Sequence, residues 1–237
     1  MIETFHLFGN EISLYYTFWL LGALAVVFGG YVMGKRYGLT FAKSVFYVVG
    51  AVVMGYLLLW ATSWVFGGGK MNGLNFVRVV TFLPIPIFIL ARIFRDSFSK
   101  VADFLAPLVA VFHGVTHLGC IFAGCCHGYP SAWGLYSNAA GTVCFPIQPI
   151  EAVSSLLVAA MLLWMAYKNV QKGKLYGWYL VLFGASRFIW EFFRDNQKIG
   201  FGISELAFHA LTAFAVGIAV LLFTNYLAKK EKYYEKV

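Results

Sequence analysis

The passage HGVTHLGCIFAGCCHG, residues 113–128, places three histidines and three cysteines in and just beyond an apolar run. Histidine titrates near neutral pH and serves as general base or metal ligand, and a thiolate is both a nucleophile and a soft ligand. Spacing sharpens the reading. His113, His117 and Cys120 fall three or four residues apart and share a helix face, and Arg187, Glu191 and Arg194 make a second stripe. Glu151 and Arg78 each open a further apolar run. An ionisable group in hydrocarbon costs at least about 2.5–3.5 kcal/mol at a helix centre, so each is a functional candidate unless it can snorkel. Polar stripes at one depth predict a cavity between helices, near the outer leaflet. Arginine at headgroup level matches phosphate in charge and in bidentate geometry, and apolar walls suit acyl chains. An anionic phospholipid headgroup is the expected ligand.

The elements that must position these groups are membrane helices. Of the 237 residues 61% are hydrophobic and 12% charged, whereas a soluble domain carries about 25% charged residues. The chain is expected to be an all-α integral membrane protein, a single polytopic domain. At roughly 20 apolar residues per crossing, seven transmembrane helices are predicted, at about 14–33, 44–65, 77–94, 101–122, 150–167, 175–193 and 204–227. The net charge of +8 does not imply nucleic acid, because the basic residues lie between apolar segments and form no tract. They report topology instead. Lys35, Arg36, Lys43, Arg92, Arg95, Lys100, Lys168, Lys172, Lys174, Lys229, Lys230, Lys232 and Lys236 fall on one side, leaving Lys70, Arg78, Arg187, Arg194 and Lys198 at the other. The positive-inside rule then predicts the N-terminus outside and the C-terminus cytoplasmic. The start, MIETFHLFGNEIS, has no basic n-region, so the first apolar run is expected to be retained as a helix. FGGGKMNG, residues 66–73, lacks the GKS/T ending of a phosphate-binding loop and is read as an outer loop. The longest connection, about 123–148, has no Lys or Arg and holds three of the four cysteines.

Four segments resemble the prolipoprotein diacylglyceryl transferase family, seven-helix bacterial enzymes that move diacylglycerol from phosphatidylglycerol onto a lipoprotein cysteine. DFLAPL (103–108) followed by THLGCIFAGCCHG (116–128) is similar to its D-F-x-A-P-L, then G-R-x-G-N-F-x-N-G-E-x-x-G. FPIQPIEA (145–152) resembles H-P-x-Q-L-Y-E-A, and ASRFIWEFFRDN (185–196) resembles R-F-x-x-E-F-x-R-x-x-D. SLYYTFWLLG (13–22) resembles a tyrosine-bearing first helix, with Tyr16 at the matching tyrosine. The resemblance implies that Arg187 holds the lipid phosphate, Glu191 fixes it one turn away, Glu151 orders the mouth and Tyr16 meets the headgroup; Gly128, Gln148 and Arg194 are retained motif positions. It also implies a bacterial cytoplasmic membrane location and no cofactor.

Departures fall where the family's chemistry lies. A clamping arginine is His117 here, an asparagine is Cys120, a glutamate is Cys125, a tyrosine is Phe183, and F-H-G-G becomes Phe76, Val77, Arg78 and Val79. The family's outer head is reduced to short loops. The chain is thus similar to a divergent member. We expect Arg78 to supply the positive charge that His117 lacks, with His117 or His113 as base. The cysteines leave several readings open. Cys125 or Cys126 with Cys144 would staple the long connection as a disulfide. A cysteine beside His117 and Arg187 would have the setting of a nucleophile. A metal site has the ligand types, but C-x4-C-C-H matches none of the common zinc spacings and no metal is assigned. Simple packing is the fourth. The function expected is lipid-dependent transfer to a lipoprotein cysteine or another acceptor; the alternative is a non-catalytic or thiol-redox membrane protein on the same scaffold.

Overall fold

The computed structural model describes residues 4–7, 10–66, 76–196 and 202–234. A short antiparallel hairpin, β1 (Thr4–Leu7) and β2 (Asn10–Ser13), leads into α1 (Leu14–Arg36), then α2 (Phe41–Phe66), α3 (Phe76–Phe82), α4 (Pro84–Ile93) and α5 (Phe98–Ala123). A second hairpin, β3 (Pro130–Ser137) and β4 (Thr142–Cys144), precedes α6 (Ile147–Lys168), α7 (Leu175–Glu191) and α8 (Glu205–Tyr234). The molecule is mostly helical. Among the described residues five helices are long and apolar enough to cross a membrane: α1, α2, α5, α6 and α8; α3 with α4 makes a sixth if the bent pair is one crossing. α7 has 17 residues. Large apolar side chains such as Phe28, Trp64, Leu157 and Phe223 are exposed along these helices, as expected for surfaces solvated by lipid.

Two features depart from the sequence reading. The run expected as one helix over 77–94 is broken after Phe82 and bent by 46°. Pro84 is the cause, since it has no N–H to donate and its ring collides with the preceding turn. In a chain expected to be all-α, the connection over 123–148 contains the β3–β4 hairpin, with Leu135, Tyr136 and Ser137 opposite Cys144, Val143 and Thr142. The FGGGKMNG loop beyond Phe66, with Lys70, and Lys198 lie outside the described residues, as do the side chains of the lysines near the C-terminus.

α5 is the central element: Val101 to Leu108 is buried without interruption. Its start is capped by the Ser97 hydroxyl, which accepts from Lys100 N–H at 3.4 Å. Its buried Asp103 in turn accepts from Gly173 N–H at 2.5 Å and Leu175 N–H at 2.8 Å, satisfying donors that the start of α7 would otherwise leave bare. α7 and α8 cross at backbone distance. A Cβ on Gly184 would stand 2.7 Å from Ala210 O, and one on Gly217 2.8 Å from Val181 N. Between apolar helices, where lipid competes equally for side chains, such small-residue contacts are a main source of attraction.

Candidate functional site

Glu151 lies one turn into α6 and is only 2% exposed, so its carboxylate must be matched by cations or it could not stay charged there. Three elements supply them. From the last turn of α7, Arg187 donates through Nη1 to Glu151 Oε1; from the turn after α7, Arg194 donates through Nη2 to Oε2. From α5, His117 Nε2 stands 2.5 Å from Oε2. Arg194 Nη2 also lies 3.2 Å from His117 Nε2.

Arg187 is flanked on its other side by Glu191, with Nη2 3.0 Å from Oε2. That contact is an ion pair by distance whose N–H does not lie along the hydrogen-bond line, since Oε2 has no hydrogen-bond partner. The other oxygen of Glu191 accepts from Ser204 Oγ at 2.6 Å and from Asn196 Nδ2. Five donors belong to a guanidinium, and the hydrogen bond to Glu151 engages one of Arg187's, with Glu191 adding charge by proximity. Guanidinium donors of this kind suit a carboxylate or phosphate oxygen in charge and geometry. A recess of about 60 Å³ opens beside Glu191 and Arg194, lined also by Tyr129, Asn196 and Ser204. It has room for about two waters.

The expected stripes meet, with one change. His113 and His117 approach to 4.5 Å between ring centroids, and Arg187 and Glu191 share a helix face as expected. Arg194, expected at the end of the same helix stripe, is not helical. α7 stops at Glu191, and Arg194 pairs through its backbone with Gly128 in an isolated antiparallel bridge, which carries its side chain to Glu151 from another direction. His113 is buried deeper. Its Nδ1 is 2.6 Å from Ser155 Oγ and its ring is stacked on Phe76.

Three candidates sit elsewhere. Arg78 is buried on α3 with Nε 2.8 Å from His209 Nε2, and it pairs with Glu205, so its contacts run to α8 and not to Glu151. Tyr16 is 70% exposed, its ring 5.3 Å from that of Tyr15. Cys144 is buried in β4, its thiol directed to Thr142 O at 3.7 Å. None of the four cysteines is joined in a disulfide; the sulfurs brought together are those of Cys120, Cys125 and Cys126, all within 4.8 Å of one another.

The loop carrying those cysteines is fixed at several points. Gly124 ends α5 in the left-handed region at φ 65°, Ser137 Oγ donates to Gly124 O at 2.7 Å, and Gln148 Nε2 donates to Cys125 O at 3.0 Å. Gly128 admits no side chain, because a Cβ would lie 2.7 Å from both Phe145 O and Phe193 O. Cys126 is exposed as a residue, yet its sulfur turns in toward Cys120, Cys125 and Arg194. Hydrogen bonds from the Cys120 and Cys125 thiols, then the charges of Arg194 and His117, hold the Cys126 thiol well below the usual range against the opposing effect of burial. Cys120 draws Cys125 down as well, but the Cys126 sulfur and burial outweigh it and set that thiol at about 11. Burial works against the Arg194 cation, and Glu151 and Cys126 more than offset it.

Residues absent from the sequence reading are Asn196, Ser204, Ser155, Glu205 and His209. His209 had a visible signal, a histidine inside the last apolar run and one turn from Glu205. Ser204 was legible only as a helix cap, accepting from Ala207 N–H at 3.0 Å.

A family model described as prolipoprotein diacylglyceryl transferase matches residues 3–224. The chain is 28% identical over 144 residues to phosphatidylglycerol–prolipoprotein diacylglyceryl transferase 2 of Clostridium perfringens, a match covering 58% of this chain and 56% of that one. It is 30% identical over 216 residues to the transferase of Nitrosomonas europaea, covering 86% and 73%, and 28% identical over 202 residues to that of Chlorobaculum tepidum, covering 74% and 70%. The chain thus spans little more than half the length of the clostridial relative.

Proposed function

Because the chain belongs to the prolipoprotein diacylglyceryl transferase family, we propose that it transfers a diacylglyceryl group from phosphatidylglycerol, or a similar anionic phospholipid, to an acceptor thiol. Support comes from the buried meeting of Arg187, Arg194 and His117 on Glu151, the observation that carries the reading. The acceptor sulfur attacks the glyceryl carbon, a C–S bond forms, the C–O bond to phosphate breaks, and glycerol 1-phosphate departs with the bonding pair. The thiol proton passes to His117. Arg187 and Arg194 hold the phosphate and receive the charge that develops on it, which is where fixed donors in a water-poor site contribute most. Glu151 and Glu191 keep both guanidiniums aimed, so little reorganisation is left for the moment of reaction. Gln148, Gly128 and Cys120 support the loop above the headgroup, and His113 stands beside His117; Tyr16 and Arg78, which lie away from Glu151, do not hold the phosphate in this reading.

Seven crossings serve this reading, with α3 and α4 as one bent crossing and α7 as a short one at the lower end of the spanning range of about 17–25 residues. The basic side containing Lys43, Arg92, Lys100 and Lys172 faces the cytoplasm of a bacterial cell membrane, the C-terminus with it, and the N-terminus and Glu151 lie toward the outside.

The test is incubation of the purified protein with labelled phosphatidylglycerol and a lipobox peptide. A diacylglyceryl thioether and glycerol 1-phosphate are expected in equal amounts. Intact lipid and peptide, from a protein that still binds the lipid, would instead support a non-catalytic scaffold.

A further inference from the structure

The three sulfurs above the headgroup cluster form and break no bond in the transfer reaction. We propose that Cys120, Cys125 and Cys126 form a three-thiolate site for a thiophilic cation, zinc or cuprous copper, with one coordination position open toward the headgroup cluster.

Geometry is the first support. The three Sγ atoms lie within 4.8 Å of one another. Zinc at about 2.3 Å from each sulfur needs S···S separations of about 3.8 Å. The sulfurs therefore close on an ion by shifts of about 1 Å or less, within the reach of χ1 adjustments alone. A disulfide would engage two of the sulfurs and leave the third; an ion engages all of them.

The chain is also shaped to hold the sulfurs together. Cys120 is on the last turn of α5, and the left-handed residues Gly124 and Cys126, at φ 65° and 58°, fold the following loop back over that turn. Cysteine rarely adopts positive φ, and here the conformation is what brings its sulfur to the other two. Bonds from Ser137 to Gly124 O and from Gln148 to Cys125 O fix this arrangement from β3 and α6. An all-sulfur donor set disfavours magnesium and calcium and selects soft or borderline ions. Three thiolates around Zn²⁺ carry one net negative charge, and the Arg194 guanidinium on the side of the Cys126 sulfur is placed to balance it.

Among the described residues no His, Asp or Glu atom joins the three sulfurs in the same group. His127 is turned away, with Nδ1 3.1 Å from Gly128 O. Three protein ligands and a vacant fourth position are the arrangement of zinc sites that take an exogenous ligand, as opposed to closed structural ones. The charges of Arg194 and His117 act on the Cys126 sulfur from the side of the headgroup cluster, and the fourth ligand in this proposal is a water or an incoming thiol.

Metal content tests this without any lipid substrate, so its outcome is separate from that of the transfer assay. The full chain, purified in detergent with a histidine-free tag and reduced, is dialysed against Zn²⁺ or Cu⁺ and its metal counted by mass spectrometry; Co²⁺ serves as a spectroscopic stand-in for zinc. One equivalent per chain is expected, with thiolate-to-cobalt charge transfer. Cys126→Ser and, as a second variant, Cys125→Ser lose that equivalent while eluting as the wild type does, and Cys144→Ser retains it. The arm that fills identifies the ion. Failure of reduced wild type to bind more of either ion than Cys126→Ser, equal loss in Cys144→Ser, or a disulfide within the trio in protein purified without reductant would each overturn the site.

Discussion

At the start of α5, Asp96 accepts from Lys43 Nζ at 2.9 Å, Lys100 Nζ at 2.8 Å and Tyr47 Oη at 2.8 Å; near the other end of the same helix, Glu151 collects Arg187, Arg194 and His117. Both are carboxylates with three partners, but their partners differ in kind. The lysine side chains are 37% and 29% exposed, so water shares their charge and the cluster acts as a latch between α2, the α4–α5 turn and α5. The two arginine side chains are 7% and 3% exposed. Their desolvation is offset only by each other's partners, and a planar fork keeps donors for a further anion where an ammonium would not. The comparison teaches that depth and donor geometry, more than the number of charges, separate a site that holds a fold together from one that can hold a phosphate.

Arg187→Ala is expected to break the comparison most severely. It removes the guanidinium fork and leaves the buried Glu191 carboxylate without its cation, and thioether formation should fall by about a hundredfold or more, as for loss of a preorganised oxyanion donor. Arg187→Lys, which keeps charge and loses the fork, should recover only a small part of that rate. Glu151→Gln leaves the Arg194 guanidinium without its counter-charge and Arg187 with Glu191 alone, and should cost about 3–5 kcal/mol, read as a lowered unfolding midpoint in detergent. A midpoint equal to wild type would mean that Glu151 is not the hub.

Gly128→Ala is next. Its Cβ would meet two backbone carbonyls, neither of which can rotate away, and overpacking of this kind costs about 1–3 kcal/mol. Activity should fall with stability, because one of the displaced carbonyls is that of Phe193, the residue before Arg194. Asp96→Asn should have the smallest effect, about 1 kcal/mol or less. Burial pushes the Asp96 carboxyl up, yet Lys100, Lys43 and Tyr47 outweigh it and hold it below the usual carboxylate range. With the folded value depressed, the stabilisation is complete above the ordinary carboxylate value of about 4 and fades as pH falls below it. The gap in unfolding midpoint between wild type and Asp96→Asn should therefore close on acidification, and a gap that widens would contradict the latch.

The two regions also differ in how far the amino-acid order revealed them. Apolar runs marked the helices, with ends displaced by a few residues, because hydrophobic length is a local property. The break at Pro84 is local too, but two prolines in an apolar run do not say whether the chain kinks or stops. The stripes of His113 with His117 and of Arg187 with Glu191 followed from helical spacing alone. Glu151 was legible as a candidate and not as the hub, since its burial depends on α5, α7 and the turn after α7 converging on one carboxylate. Arg194 was placed on the wrong kind of backbone for the same reason: the bridge to Gly128 that lifts it off the helix joins residues far apart in the chain. The cysteines show the limit most clearly. Chain order made Cys144 a natural partner of the Cys125–Cys126 pair, whereas the left-handed turns at Gly124 and Cys126 fold that pair back onto Cys120.

The most direct measurement of the central claim is lipid retention: native mass spectrometry of the purified protein after exchange into equal phosphatidylglycerol and phosphatidylethanolamine, compared with Arg187→Gln. Preferential retention of phosphatidylglycerol by the wild type is expected, with loss of that preference in the variant. Equal retention of both lipids by the wild type, or an unchanged preference in Arg187→Gln, would contradict the claim.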